Sequence, residues 1–208
     1  MLFRSGQEQR ANALAASLVE RLHAEMEGRG LDAVVANASG CGTHAKDFGY
    51  LFRNDPSLAG KAAAVSAKAR DVTELLAELG LPPRATGVPA LPVAYHSACS
   101  MQHGQKVDAA PRQLLAAAGF EVREIAEGHL CCGSAGTYNV LQPEIAERLR
   151  ERKLANVART KAQVVATGNV GCITQLDGTD GIRVVHTVEL LDWATGGPPP
   201  RHLNPDTL

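Results

Sequence analysis

The stretch Val164-Val165-Ala166-Thr167-Gly168-Asn169-Val170-Gly171-Cys172 reads as a short buried strand running into a glycine-rich loop that ends on a cysteine. A brief β-branched apolar run bounded by turn residues is the pattern of a strand covered on both faces. It recurs along the chain. Val34-Val35-Ala36 leads into Asn37-Ala38-Ser39-Gly40-Cys41-Gly42, and Val93-Ala94-Tyr95-His96 leads to Cys99. A strand marked by Phe120, Val122 and Ile125 precedes Cys131-Cys132-Gly133-Ser134-Ala135-Gly136, and residues 182–185 form a last strand.

Between these runs lie helical patterns. Residues 7–27 carry Leu14, Leu18, Leu22 and Met26 as one apolar stripe, and Gly28 and Gly30 stop that helix. A second long helix is expected over residues 59–79, ending at Gly80. The proline-rich residues 81–89 read as a linker, because prolines at this density fit neither a helix nor a central strand. Asp108 and Pro111 open a helix closed by Gly119; Pro143 opens another to about Thr160, with Ile145, Leu149 and Leu154 on its apolar side. Thr187 is expected to cap a final helix holding Leu190, Leu191 and Trp193.

Strands alternating with helices predict an α/β fold: a mostly parallel sheet with flanking helices. In such sheets the loops after the strands gather at the carboxyl edge, where ligands bind. Cysteines distant in sequence are therefore expected to converge there. Helix, strand, Gly-Cys loop and acidic-leucine helix also occur twice in order: Asp71-Val72-Thr73-Glu74-Leu75-Leu76 parallels His186-Thr187-Val188-Glu189-Leu190-Leu191. This predicts a tandem repeat, with residues 1–84 the latter part of a first copy, 85–195 a second copy and 196–208 a disordered tail. The first copy has Cys41 but no Cys-Cys-Gly, so it reads as incomplete.

Composition narrows the function. The chain has 208 residues, 45% hydrophobic and only 4% aromatic, so its core must come from close packing of small side chains. A net charge of −1 offers no field for nucleic acid or an anionic membrane. No apolar run approaches the roughly 20 residues of a membrane span. The five cysteines are odd in number and do not form a secreted disulfide framework; a cytoplasmic protein with reduced or metal-bound thiols fits them.

Thiolates are soft ligands that suit iron–sulfur clusters and zinc. Cys99, Cys131, Cys132 and Cys172 sit beside Gly133, Gly136, Gly171, Ser134 and Thr137, which make loops whose N–H groups can bond cluster sulfurs. Three alternatives stand beside a cluster site: buried cysteines that only fill the core, a zinc-stabilised docking domain, and thiol–disulfide chemistry at Cys131-Cys132. His96, His103 and His129 flank the cysteine loops, and His44 follows Cys41 at a ligand-like spacing. The charged run from Glu147 through Lys153 reads as a solvated helix face.

The stretch His129-Leu130-Cys131-Cys132-Gly133-Ser134-Ala135-Gly136-Thr137-Tyr138 closely resembles the iron–sulfur subunits of glycolate oxidase (glycolate dehydrogenase). So do Gln102-His103-Gly104-Gln105-Lys106, Leu149-Arg150-Glu151-Arg152-Lys153-Leu154 and Gly171-Cys172, while Asn37-Ala38-Ser39-Gly40-Cys41-Gly42-Thr43-His44 looks like the matching segment of an earlier repeat. The resemblance runs from about residue 7 to 195 and extends to the wider cysteine-rich CCG group, which includes the cysteine-rich component of heterodisulfide reductase and lactate-utilisation iron–sulfur proteins.

The resemblance implies electron transfer. A separate flavin-containing subunit oxidises glycolate to glyoxylate, and the iron–sulfur subunit relays electrons through the complex, with peripheral contact to a membrane. Matching positions give Cys99, Cys131, Cys132 and Cys172 as ligands of a cluster, [4Fe-4S] in type, with Cys41 belonging to the first repeat. Three departures accompany it. No C-x-x-C occurs, the first Cys-Cys-Gly is missing, and Cys172 is followed by Ile173-Thr174-Gln175. The chain is therefore expected to be an N-terminally truncated copy, inactive alone and offering at most a four-thiol site.

Overall fold

A computed structural model describes residues 6–178, 181–201 and 203. It is an α/β fold with parallel strands throughout. β3 (Pro92–Tyr95), β4 (Glu121–Arg123), β5 (Val164–Thr167) and β6 (Val184–His186) form one sheet in the order β4-β3-β5-β6. β1 (Val34–Ala36) and β2 (Ala69–Asp71) form a two-stranded parallel sheet.

The pleat of the larger sheet sorts its side chains between two cores. Val93, Tyr95, Val164 and Ala166 pack with Leu115, Phe120, Leu190 and Trp193 on one face. Ala94, Val165 and Val184 pack with Met101, Leu154, Val157 and Leu176 on the other, and Cys132 and Cys172 lie in that second core. The helices beneath it are α8 (Pro143–Arg159) and α9 (Val170–Leu176). A third core joins α1 (Glu8–Gly28), α3 (Phe48–Leu51) and α4 (Ala59–Lys68).

The smaller sheet repeats the register of the larger one. Val34 pairs Ala69 as Val165 pairs Val184. In both units the second strand ends on a residue that caps the next helix with a capping box: Asp71 before α5 (Val72–Leu79) and His186 before α10 (Thr187–Ala194). The units meet at their carboxyl ends, where Ser39 N–H donates to Gly168 O at 3.0 Å and His186 Nε2 donates to Asn37 O at 2.6 Å.

Several expectations are corrected. Half of the expected stripe on α1 packs inward: Leu22 and Met26 lie against the third core, but Leu14 and Leu18 are exposed and Ala11, Ala15 and Val19 are buried, because the small residues let α1 approach Ala62 and Val65 of α4 closely. The long helix over 59–79 is broken by β2, whose edge pairing with β1 overrides helix propensity. Cys41 and Cys172 lie inside helices, α2 (Ser39–Lys46) and α9, and not in loops. The final helix is capped by His186, one residue before Thr187. Ile145 is exposed and Lys153 is buried, the reverse of their expected places on α8. Of the expected tail, Leu203 is buried against the core beside Trp193, while residues 202 and 204–208 lie outside those described. Among the described residues no helix is long and apolar enough to cross a membrane.

Candidate metal centre

Each thiol is delivered by the segment after a strand of the larger sheet. Cys99 follows β3 and opens a π-helical turn, Ser100–Gln105. Cys131 and Cys132 lie in the loop after β4, and Cys172 is in the first turns of α9 after β5. The parallel sheet thus brings four distant thiols to one edge.

Cys132 and Cys172 are buried, and the Cys132 thiol donates to Cys172 Sγ at 3.3 Å. Cys131 and Cys99 are half-buried on the same edge, and they are electrostatically coupled to this pair. Two N–H donors from outside the thiol set also reach the sulfurs. Gly133 N–H donates to Cys131 Sγ at 3.3 Å, and Asn169 Nδ2 donates to Cys172 Sγ at 3.3 Å. Gly133 has a φ of +96°, and a Cβ there would stand 2.3 Å from Ala146 O of α8. The Cys-Cys-Gly turn therefore seats against α8 only with glycine at its end.

The electrostatics follow from crowding. The Cys131 thiol lies well below the ordinary thiol range, because Cys132 and Cys99 donate to it and Gly133 N–H adds to them, outweighing burial. Cys172 is lowered to about 5, chiefly by the Cys132 donor, with His96 and Asn169 acting in the same direction. Cys99 and Cys132 move up, as the donating partners of neighbouring sulfurs and through burial. The thiols thus give up their protons as one coupled group, not residue by residue. A soft cation replacing those protons would relieve the repulsion of a full thiolate set.

Two buried side chains border the thiols at this edge: His96, one of the three histidines expected to flank the cysteine loops, and Lys153, expected on a solvated helix face. His96 is 1% exposed, its ring nitrogens have no hydrogen-bond partner of regular geometry among the described residues, and a ring nitrogen lies within 4.8 Å of both Cys132 Sγ and Cys172 Sγ. A buried polar group left in that state costs about 1–3 kcal/mol. Lys153 is fully buried on α8 and donates to Glu127 O at 3.0 Å. Burial pulls its ammonium down, while the thiols of Cys99, Cys132 and Cys131 pull it back up. The signal for Lys153 was its place between Leu149 and Leu154 on the inward side of a helix; its charged neighbours masked it.

The other candidates are not brought in. His103 and His129 are exposed. Cys41 is exposed on α2. Among the described residues the close group of metal-ligand atoms is His96, Cys132 and Cys172; Cys99, Cys131 and Cys41 stand outside it. His44 is half-buried and packs edge-on against Phe48 at 5.1 Å. α2 itself is seated on the turn after Cys99: Ser39 Oγ and Ser100 Oγ are 2.6 Å apart, and Gln105 Nε2 donates to Ser39 O at 2.9 Å.

The donor set fits an iron–sulfur group. It is all-thiol, shielded from water at Cys132 and Cys172, supplied with N–H donors to sulfur, and bordered by the buried imidazole of His96. Fold and site together define a class: residues 93–177 match the family model of the cysteine-rich CCG domain.

Among known proteins the chain is similar to the "Glycolate oxidase iron-sulfur subunit" of Escherichia coli, 37% identical over 166 residues, covering 79% of this chain and 40% of that protein. It is similar to the "Probable glycolate oxidase iron-sulfur subunit" of Bacillus subtilis, 34% identical over 183 residues, covering 83% of this chain and 41% of that one. "Lactate utilization protein A" of Geobacillus thermodenitrificans is 29% identical over 175 residues, covering 77% of this chain and 70% of that relative. The chain spans about two fifths of the length of the first two relatives.

Proposed function

We propose that this chain is an electron-transfer segment of a complex that oxidises a 2-hydroxy acid, glycolate by the names of its relatives. Cys99, Cys131, Cys132 and Cys172 hold an iron–sulfur cluster of [4Fe-4S] type at the carboxyl edge of the larger sheet. The observation that carries this reading is the contact of Cys132 and Cys172 at 3.3 Å inside the core, with Cys99 and Cys131 carried to the same sheet edge by the segments after β3 and β4.

When bound, the cluster supplies one-electron redox chemistry. The chain's own residues do the rest: the cysteines bind, Gly133 N–H and Asn169 donate to sulfur, and the second core excludes water. Electrons enter from a flavin-containing subunit that forms glyoxylate, and leave through other subunits. The thiols call for a reducing compartment, so the complex is cytoplasmic, with any membrane contact peripheral and made through its partners. Residues 1–84 serve as part of a first CCG repeat, docked on the second through α2.

Anaerobic reconstitution with iron and sulfide tests the reading. Expected are stoichiometric iron, visible charge-transfer absorbance and an EPR signal on reduction, lost in Cys132→Ser and Cys172→Ser. A colourless protein that carries zinc when freshly purified and takes up no iron would overturn it in favour of a zinc-stabilised domain.

A further inference from the structure

His96 continues β3 toward the site. Its backbone N–H donates to Ala166 O at 2.9 Å, which extends the ladder with β5 by one residue. Along this strand Tyr95 faces the first core and Ala94 the second. The alternation therefore sends the side chain at 96 to the face that holds Cys132 and Cys172. The ring arrives almost wholly buried, with both nitrogens lacking a regular partner, beside two sulfurs. Buried imidazoles ordinarily find a carbonyl, a carboxylate or a metal-bound group. Among the described residues, the sulfurs are the metal-binding atoms that the geometry offers to this ring.

We infer that His96 is part of the cluster site and donates a ring N–H to one of its sulfurs. This rests on the reading above. Four thiols already fill the four terminal positions of a four-iron cluster, so the imidazole is left as a donor and not a ligand. Donation to sulfur withdraws charge from the cluster and favours its reduced, more negative state over the oxidised one. His96 is thus a positioning and tuning residue, and its loss moves the reduction potential downward.

The test uses the full chain, reconstituted with iron and sulfide and labelled with 15N-histidine. Pulsed EPR of the reduced cluster should show one weak histidine coupling that disappears in His96→Leu. Redox titration should give a more negative potential in His96→Leu, with recovery toward the original value in His96→Gln, which keeps an N–H donor. Absence of any histidine coupling in the unsubstituted protein would overturn the inference, as would the strong coupling of a direct iron–nitrogen bond. The label experiment needs no variant, so it decides the matter even where His96→Leu fails to assemble. Failure of the unsubstituted protein to take up iron would instead sink the proposed function first, and His96's role with it.

Discussion

Lys153 Nζ donates to Glu127 O at 3.0 Å, joining the buried side of α8 to the loop that carries Cys131 and Cys132. Glu127 has a left-handed backbone, φ +52°, which a residue with a Cβ adopts only under constraint. Three α8 side chains impose it: Lys153 on its carbonyl, Arg152 and Asn156 on its carboxylate. The thiol loop is held at its base by one turn of helix.

Replacing that clamp should be measurable. Lys153→Met keeps the volume but leaves a buried carbonyl without its charged donor, so stability should fall by about 1–3 kcal/mol in urea unfolding. An unchanged midpoint would show that relief of the buried charge cancels the lost bonds.

Acid should loosen the same clamp. Glu127 is lowered from 4.5 to about 2, first by the Arg152 hydrogen bond and then by Asn156. A carboxyl depressed on folding adds stability that is complete above its unfolded value and drains away as pH falls toward the folded one. Between pH 4.5 and about 2 the protein should therefore lose stability more steeply than Glu127→Gln does. Acid titrations of the two that run parallel through this window, followed by circular dichroism, would disprove the clamp's charge dependence.

Gly133 should tolerate nothing larger. Gly133→Ala sets a Cβ against Ala146 O and forces a residue with a side chain to φ +96°. The expected result is a loss of about 1–3 kcal/mol and of most of the iron taken up on reconstitution. Gly178→Ala, also at positive φ but with open space around it, should keep its iron, which separates backbone strain from collision.

What the sequence disclosed was decided by local pattern. The strands β3, β5 and β6 were legible because each is a compact apolar run, and the meeting of Cys132 with Cys172 followed from strands being parallel. β2 was hidden because Ala69-Arg70-Asp71 has no apolar pattern; it is a strand only because β1 lies beside it. Leu14 and Leu18 were misplaced on α1, while Leu22 and Met26 do face the core, because alanines permit the closest helix contact. His96 was legible as a histidine beside a cysteine loop, but Lys153 was not. A charged residue inside the core is revealed by its partners, and these come from distant segments.

Asp71 and His186 provide the last prediction, because equivalent caps should carry equivalent energies. Asp71 Oδ1 accepts from Thr73 N at 2.9 Å and from Thr73 Oγ1 at 2.6 Å, and Glu74 accepts from Asp71 N at 2.7 Å. His186 Nδ1 accepts from Val188 N at 3.1 Å, and Glu189 accepts from His186 N at 2.8 Å. Losing an N-cap costs about 0.5–2 kcal/mol, so Asp71→Ala and His186→Ala should each destabilise by that amount. His186 also donates to Asn37 O at 2.6 Å, a contact between the two units that Asp71 lacks among the hydrogen bonds found. His186→Ala should therefore exceed Asp71→Ala by about 1 kcal/mol. It should also speed hydrogen exchange at the Ser39 N–H, which bonds across the same junction to Gly168 O. Equal losses with unchanged exchange would mean that the bond from His186 to Asn37 adds nothing measurable to the junction.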